Sequence, residues 1–398
     1  MSEPSSILHL DPERREAVRN FLKENGLGGW IGWRPDELVL LLGHMPQWGV
    51  SVCLFPLEGQ PLLVIPELEP RDHLPPETEV IAYGWGTLEC RDPWAELAAI
   101  LRDAIAGRKL TNYHIGYAAQ YGQSSPSGCF AETPPFNGKM VERFASIAKM
   151  RESGDSFQKL YQIKTAREIQ AIRLANRVAV RALEVFRQNA VPGRTEAEIA
   201  AAVESSILCE TGRGEVFLAR GFAFVQSGPE TAASGRYNRN IGRRLEAGDA
   251  VLIEVATCVN GYWSDLTRTV FAGEARTGEH RRMFEAVREA QRLAVAAVRP
   301  GVAFGEVDRV AREALSKYAK FFTHATGHHT GIRYHDPGTG LAPGVTDRLQ
   351  PGMVVTIEPG IYSQQAGAGF RIEDNVLVTE TGHEILSSPA ATPGSTLS

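Results

Sequence analysis

The sequence predicts an α+β chain in two parts. A smaller α/β N-terminal domain occupies residues 1–157, and a larger domain with an internal pseudo-twofold repeat occupies residues 158–398. Three observations predict this division. Short strand-like runs and proline-rich loops give way near residue 158 to long helices followed by strands. Helix pairs whose first members end in AVPG (190–193) and VRPG (298–301) recur about a hundred residues apart. Each pair is followed by strand-like segments bearing two carboxylates, Glu254 and Asp265 first, then Glu358 and Glu373.

In the first part, Glu37–Leu42, Val50–Phe55 and Pro61–Ile65 read as strands between loops such as LPPE and ETPPF. Thr165 and Glu168 form a capping box, and Ile172, Ala175, Ala179, Leu183 and Phe186 follow at helical spacing. Thr195 and Glu198 form a second box, ahead of Ile199, Val203 and Ile207. The later helix carries Val307, Val310 and Ala314. Gly193 precedes Glu254 by 61 residues, and Gly301 precedes Glu358 by 57. Two similar units, each too small to bury a sheet alone, pack about a pseudo-twofold axis, where the four carboxylates converge. Arg243-Arg244 reads as a solvated turn.

Glu254 and Asp265 flank the turn-prone stretch Cys258–Gly261, so residues 251–270 read as a β-hairpin. A loop centred between Val259 and Asn260 sets the two carboxylates directly opposite each other. A tight Asn260-Gly261 turn slips the register by two. Side chains alternate with period two, so either register leaves both carboxylates on one face. Glu358 (MVVTIEPGIY) and Glu373 (FRIEDNVLVT) can share a face in the same way if their segments pair antiparallel.

Composition excludes several functions. The chain has 398 residues, a formal charge of −5 and a pI near 6.1, with no basic footprint for nucleic acid or anionic membrane. No apolar run approaches the roughly 20 residues that span a bilayer. The acidic, polar start MSEPSSILHLDPERRE lacks the pattern of a signal peptide, and the five scattered cysteines form no CxxC pair. A cytoplasmic chain with free thiols is expected.

Burial then turns pattern into chemistry. Glu254 lies among Leu252, Ile253, Val255 and Ala256, where an ionised carboxylate must be protonated, paired or metal-bound. Arg268 and Arg371 are the candidate partners, which gives a plain alternative of two buried ion pairs. Four carboxylates exceed two arginines, however, and four of the ten histidines fall within His324–His335 of HATGHHTGIRYHD. Imidazole with carboxylates suits Zn, Mn, Co or Fe. Two ions bridged by shared carboxylates would activate a water.

These residues resemble a known family. GYWSDLTRT, GHHTGIRYHD, TIEPGIY and RIEDN are similar, over roughly residues 160–385, to the pita-bread (creatinase/aminopeptidase) metallopeptidases. The first part resembles the small N-terminal domain of the aminopeptidase P, prolidase and creatinase branch.

The resemblance implies two divalent metal ions (Mn, Zn or Co). Asp265 and Glu373 would bridge them, His328 and Glu358 would complete one shell, and Glu254 would hold the other ion. It also implies that Glu358 takes a proton from the attacking water, that His335 stabilises the developing oxyanion, and that Tyr362 and Arg371 orient ligands and move protons. The implied function is a metal-dependent Xaa-Pro dipeptidase or aminopeptidase, a homodimer acting on small peptides, with no nucleic-acid or membrane partner.

Two positions depart from the family pattern. Glu254 stands where aspartate is usual, and Gly235 where a substrate-contacting histidine is usual. Two other readings stay open: a metal-independent hydrolase resembling creatinase or ectoine hydrolase, and a peptide-binding pseudoenzyme.

Overall fold

The computed structural model describes residues 10–71, 74–119, 138–235 and 239–388. Cys129 and the ETPPF loop lie outside them. The chain divides into two compact units, the first running through Tyr161 and the second starting its main body at Gln162.

In the first unit, helix α1 (Pro12–Glu24) starts at the Asp11 cap and leads into β1 (Leu27–Gly32). Helix α2 (Pro35–Leu42) follows. Then come β2 (Val52–Pro56), β3 (Leu62–Pro66), β4 (Glu79–Tyr83), α3 (Pro93–Gly107), β5 (His114–Tyr117), α4 (Gly138–Ala145) and β6 (Lys149–Glu152). The strands form one mixed sheet in the order β4-β3-β2-β1-β5-β6. Ile31, Val52, Leu54, Leu62 and Val64 bury one side of it against Leu97, Leu101 and Ile105 of α3. Two short helices, α5 (Gly154–Phe157) and α6 (Lys159–Gln162), close the segment, with Phe157 stacked on Trp30 at 3.9 Å.

One expected strand is a helix. Residues 37–42 belong to α2, which begins with Pro35 at its first turn, is closed by Gly43 in the left-handed conformation, and has Glu37 capping its start. Its residues Asp36–Leu42 are all buried, so no polar stripe marked the helical period.

In the second unit the capping boxes at Thr165 and Thr195 start α7 (Ala166–Asn189) and α8 (Glu196–Leu208). These pack on an antiparallel sheet of β7 (Ala219–Ser227), β8 (Ala250–Val259) and β9 (Tyr262–Phe271). Val251, Ile253 and Val255 meet Val178, Leu183, Phe186, Ile199 and Val203 on the helix side. Period-two alternation therefore turns Glu254 to the opposite face.

The second half repeats the plan. Helices α9 (Gly278–Ala297) and α10 (Phe304–Ala314) pack on β10 (Val354–Ile357), β11 (Gly360–Ser363), β12 (Ala368–Arg371) and β13 (Asp374–Val378), with β14 (His383–Ile385) at the edge. The halves join where Thr267 of β9 bridges Glu373.

Arg243 is not on a solvated turn. Its side chain is nearly buried and pairs with Asp249 at 2.6 Å. Cys53, Cys90, Cys209 and Cys258 are free thiols. Among the described residues no helix is long and apolar enough to cross a membrane.

Candidate metal centre

The β8–β9 register decides the first carboxylate pair. Val259 pairs with Tyr262, so Asn260-Gly261 is the tight turn, with φ of 53° and 92°. Asparagine and glycine are the residues that tolerate such positive φ in a two-residue hairpin loop. Asp265 therefore stands opposite Ala256, and Glu254 opposite Thr267. The carboxylates are diagonal neighbours on one face.

In the second half, Ile357 pairs with Asp374 and Gly360 with Arg371. These two ladders keep one register, and Glu358 and Glu373 fall at the junction between them.

The histidine segment lies along β10. Thr356 donates its N–H to the His328 carbonyl at 2.8 Å, and the His328 N–H donates to Thr356 Oγ1 at 3.0 Å. The far end is tied by Asp336, which accepts from the Arg333 N–H at 2.7 Å and pairs with buried Lys164 at 2.8 Å.

The side chains then converge. His328 Nε2 lies 3.4 Å from Asp265 Oδ2 and 3.5 Å from Glu358 Oε1. His335 Nε2 is 3.9 Å from Asp265 Oδ2. Two sets of potential ligand atoms, Asp265–His328–His335 and His328–Glu358–Glu373, each fall within 4.8 Å of one another and share His328.

The donor chemistry of this cluster calls for a cation. His328 Nδ1 is 2.9 Å from the His329 carbonyl, which can only accept. In the neutral ring, Nδ1 therefore carries the hydrogen, and the Nε2 lone pair faces two carboxylates. Asp265 Oδ1 and Glu373 Oε1 are also buried and find no hydrogen-bond partner among the described residues. Burial, with the neighbouring carboxylates adding to it, holds the Asp265 and Glu373 carboxyls well above their ordinary range, and burial raises Glu358 as well. Divalent metal bound at these two sets would satisfy the lone pair and the orphaned oxygens. The residues fit a metal ion.

The predicted site residues divide in their placement. Asp265, His328, His335, Glu358 and Glu373 come together. Glu254 belongs to neither ligand set: its Oε1 accepts from the Tyr334 hydroxyl and its Oε2 from Arg371. Arg371 also donates to Tyr362 Oη at 2.9 Å. His324 Nδ1 faces the Ala325 carbonyl at 2.8 Å and so donates, leaving Nε2 to accept from the Tyr362 hydroxyl at 3.0 Å. Arg268 is committed elsewhere, to Asp374 at 2.6 Å and to the Glu373 carbonyl. Gly235 takes a left-handed conformation, φ 60°, after a short 3-10 turn.

Sequence reasoning missed several supporting residues. Thr267 donates to Glu373 Oε2 at 2.6 Å, and Asn375 exchanges hydrogen bonds with the Asp265 backbone at 3.1 and 2.8 Å. Thr356 lies 3.4 Å from Glu358 Oε1. Each stands two positions from a site carboxylate, so strand alternation could have flagged all three. Tyr334 carried no such signal.

Carboxylates and histidine gathered at the junction of two repeated halves form a candidate metal-binding cluster. The chain belongs to metallopeptidase family M24, whose model matches residues 170–380. It is 37% identical over 382 residues to a probable dipeptidase PepE of Mycobacterium tuberculosis, covering 92% of this chain and 93% of that protein. It is 34% identical over 253 residues to an Xaa-Pro dipeptidase of Pyrococcus furiosus, covering 62% of this chain and 70% of that one. The solved structure of a prolidase from Pyrococcus furiosus superposes with a TM-score of 0.72 at 27% identity, covering 93% of this chain and 99% of that one. The fold is the pita-bread fold with a smaller N-terminal domain, and the chain is a metallopeptidase.

Proposed function

We propose that the chain hydrolyses the amide bond of dipeptides or short peptides with proline after the cleaved bond. The observation that carries this reading is the His328 lone pair facing Asp265 and Glu358 beside the partnerless oxygens of Asp265 and Glu373. Relatives named Xaa-Pro dipeptidase support the substrate class. Of the two metal positions the resemblance implies, Asp265, His328, Glu358 and Glu373 would hold one, with Mn, Zn or Co as candidates. Glu254 is the residue that the resemblance gives to the other.

A divalent ion bound there supplies Lewis-acid polarisation of the water and the scissile carbonyl. Glu358 accepts the proton of the attacking water and passes it to the leaving nitrogen. His335, beside Asp265 and partly open to solvent, donates to the oxyanion that develops. Arg371, Tyr362 and His324 form a directed chain in which each donates to the next, and this fixes the Tyr362 hydroxyl. His324 accepts at the end of the chain because burial pushes its pKa down to about 3 and keeps it neutral.

In this reading the catalytic machinery lies within residues 158–398, and the protein is a cytoplasmic homodimer. The test is a panel of Xaa-Pro dipeptides and tripeptides with metal-loaded protein, alongside Glu358→Ala. Turnover of the panel by the natural protein and none by Glu358→Ala is expected. A metal-loaded protein that ignores every Xaa-Pro peptide refutes the substrate assignment.

A further inference from the structure

Position 254 raises the question of how many ions the centre holds. Glutamate here carries one more methylene than aspartate, about 1.5 Å of extra reach from the β8 backbone. Its carboxylate is held by two other groups. The Tyr334 hydroxyl binds one oxygen and the Arg371 guanidinium the other.

Both partners are fixed by their own packing. The Tyr334 ring is buried against Ala256, Cys258 and Trp263 and lies 4.4 Å from the His335 ring. Arg371 is 2% exposed, and its Nε donates to Thr267 Oγ1 at 3.0 Å. A carboxylate tied at both oxygens, one of them to a full positive charge, is a poor ligand for a second cation. The guanidinium already neutralises that carboxylate. The contrast with the other acids is direct, since Asp265 and Glu373 each keep a buried oxygen without a partner among the described residues.

We propose that the chain holds a single divalent ion, on Asp265, His328, Glu358 and Glu373, and that the Glu254–Arg371–Tyr334 cluster closes the second position. This rests on the metal-centre reading above and is independent of which peptide is cleaved. Tyr334 is a positioning residue: it ties one oxygen of Glu254, which belongs to neither ligand set.

Metal stoichiometry tests the idea without an activity assay. The chelator-treated protein is titrated with Mn(II), bound metal is counted by elemental analysis, and the electron paramagnetic resonance spectrum is recorded. The natural protein should bind one Mn per chain and give the six-line pattern of an isolated ion. Glu254→Asp combined with Tyr334→Phe shortens the acid and removes the hydroxyl while keeping the ring. That variant should bind two ions with an exchange-coupled spectrum.

Two tightly bound, coupled ions in the natural protein overturn the proposal and leave the metal-centre reading intact. No bound ion overturns both. A double variant that still binds one refutes the role given to Glu254 and Tyr334. Should that variant fail to fold, the count and spectrum of the natural protein decide alone.

Discussion

Gly327, next to His328, offers the sharpest single perturbation. A Cβ at this position would lie 1.9 Å from the Thr356 carbonyl oxygen and 2.8 Å from its carbon, both backbone atoms of β10. Ordinary contact begins near 3.4 Å, so Gly327→Ala forces the two segments about 1.5 Å apart. Four hydrogen bonds hold them where they are. Thr356 N–H donates to His328 O at 2.8 Å, Glu358 N–H to Thr326 O at 2.8 Å, Thr330 N–H to Val354 O at 3.1 Å, and His328 N–H to Thr356 Oγ1 at 3.0 Å.

Breaking two of these costs about 1 kcal/mol each, and overpacking adds about 1–3 kcal/mol. A loss of roughly 3–5 kcal/mol is expected. At about 2–4 °C per kcal/mol for domains of this size, the chelated protein should melt at least about 6 °C lower. His328 moves with the strand, and ligand distances tolerate only about 0.2 Å, so calorimetric titration with Mn should show binding weakened by more than about tenfold. A chelated Tm within about 2 °C of the natural protein, together with unchanged Mn affinity, refutes the steric argument.

Three other outcomes are expected. His335→Ala should keep its metal, by elemental analysis, while turnover falls roughly a hundredfold, the effect of losing one transition-state donor. Asn260→Ala should lose about 2–4 kcal/mol in denaturant unfolding, because Asn260 sits at φ 53°, accepts from Phe217 and Leu218 N–H at 3.0 and 3.1 Å, and donates to Glu215 O at 2.8 Å. A loss below about 1 kcal/mol speaks against that account. Buried Glu196 accepts from Ser227 at 2.7 Å and from Thr231, and burial raises its pKa above 4.5. Its folded form therefore holds the proton more tightly than the unfolded chain, so its contribution to stability is complete below about pH 4.5 and declines as pH rises through the raised value. Tm measured from pH 4 to 7 should show this decline in the natural protein and a flatter profile in Glu196→Gln. Superimposable profiles would count against it.

The local grammar of the chain determined a good deal. Capping boxes at Thr165 and Thr195 gave the starts of two helices, because that signal is complete within four residues. Period-two alternation put Glu254 and Asp265 on one face in either register, and the histidine segment marked a cluster within which the family resemblance singled out His328 and His335. Residues 37–42 misled because a helix buried all round shows no stripe.

Tertiary structure decided what these carboxylates touch. Arg268 and Arg371 looked equivalent in sequence, yet Arg268 goes to Asp374 and only Arg371 reaches Glu254. Tyr334 meets Glu254 across 80 positions of chain, a contact with no local signature. Alternation along a strand is a property of the backbone and travels with the sequence. The partner of a buried charge depends on which distant segments the fold brings within about 3 Å, and that distance is set only when both halves have packed.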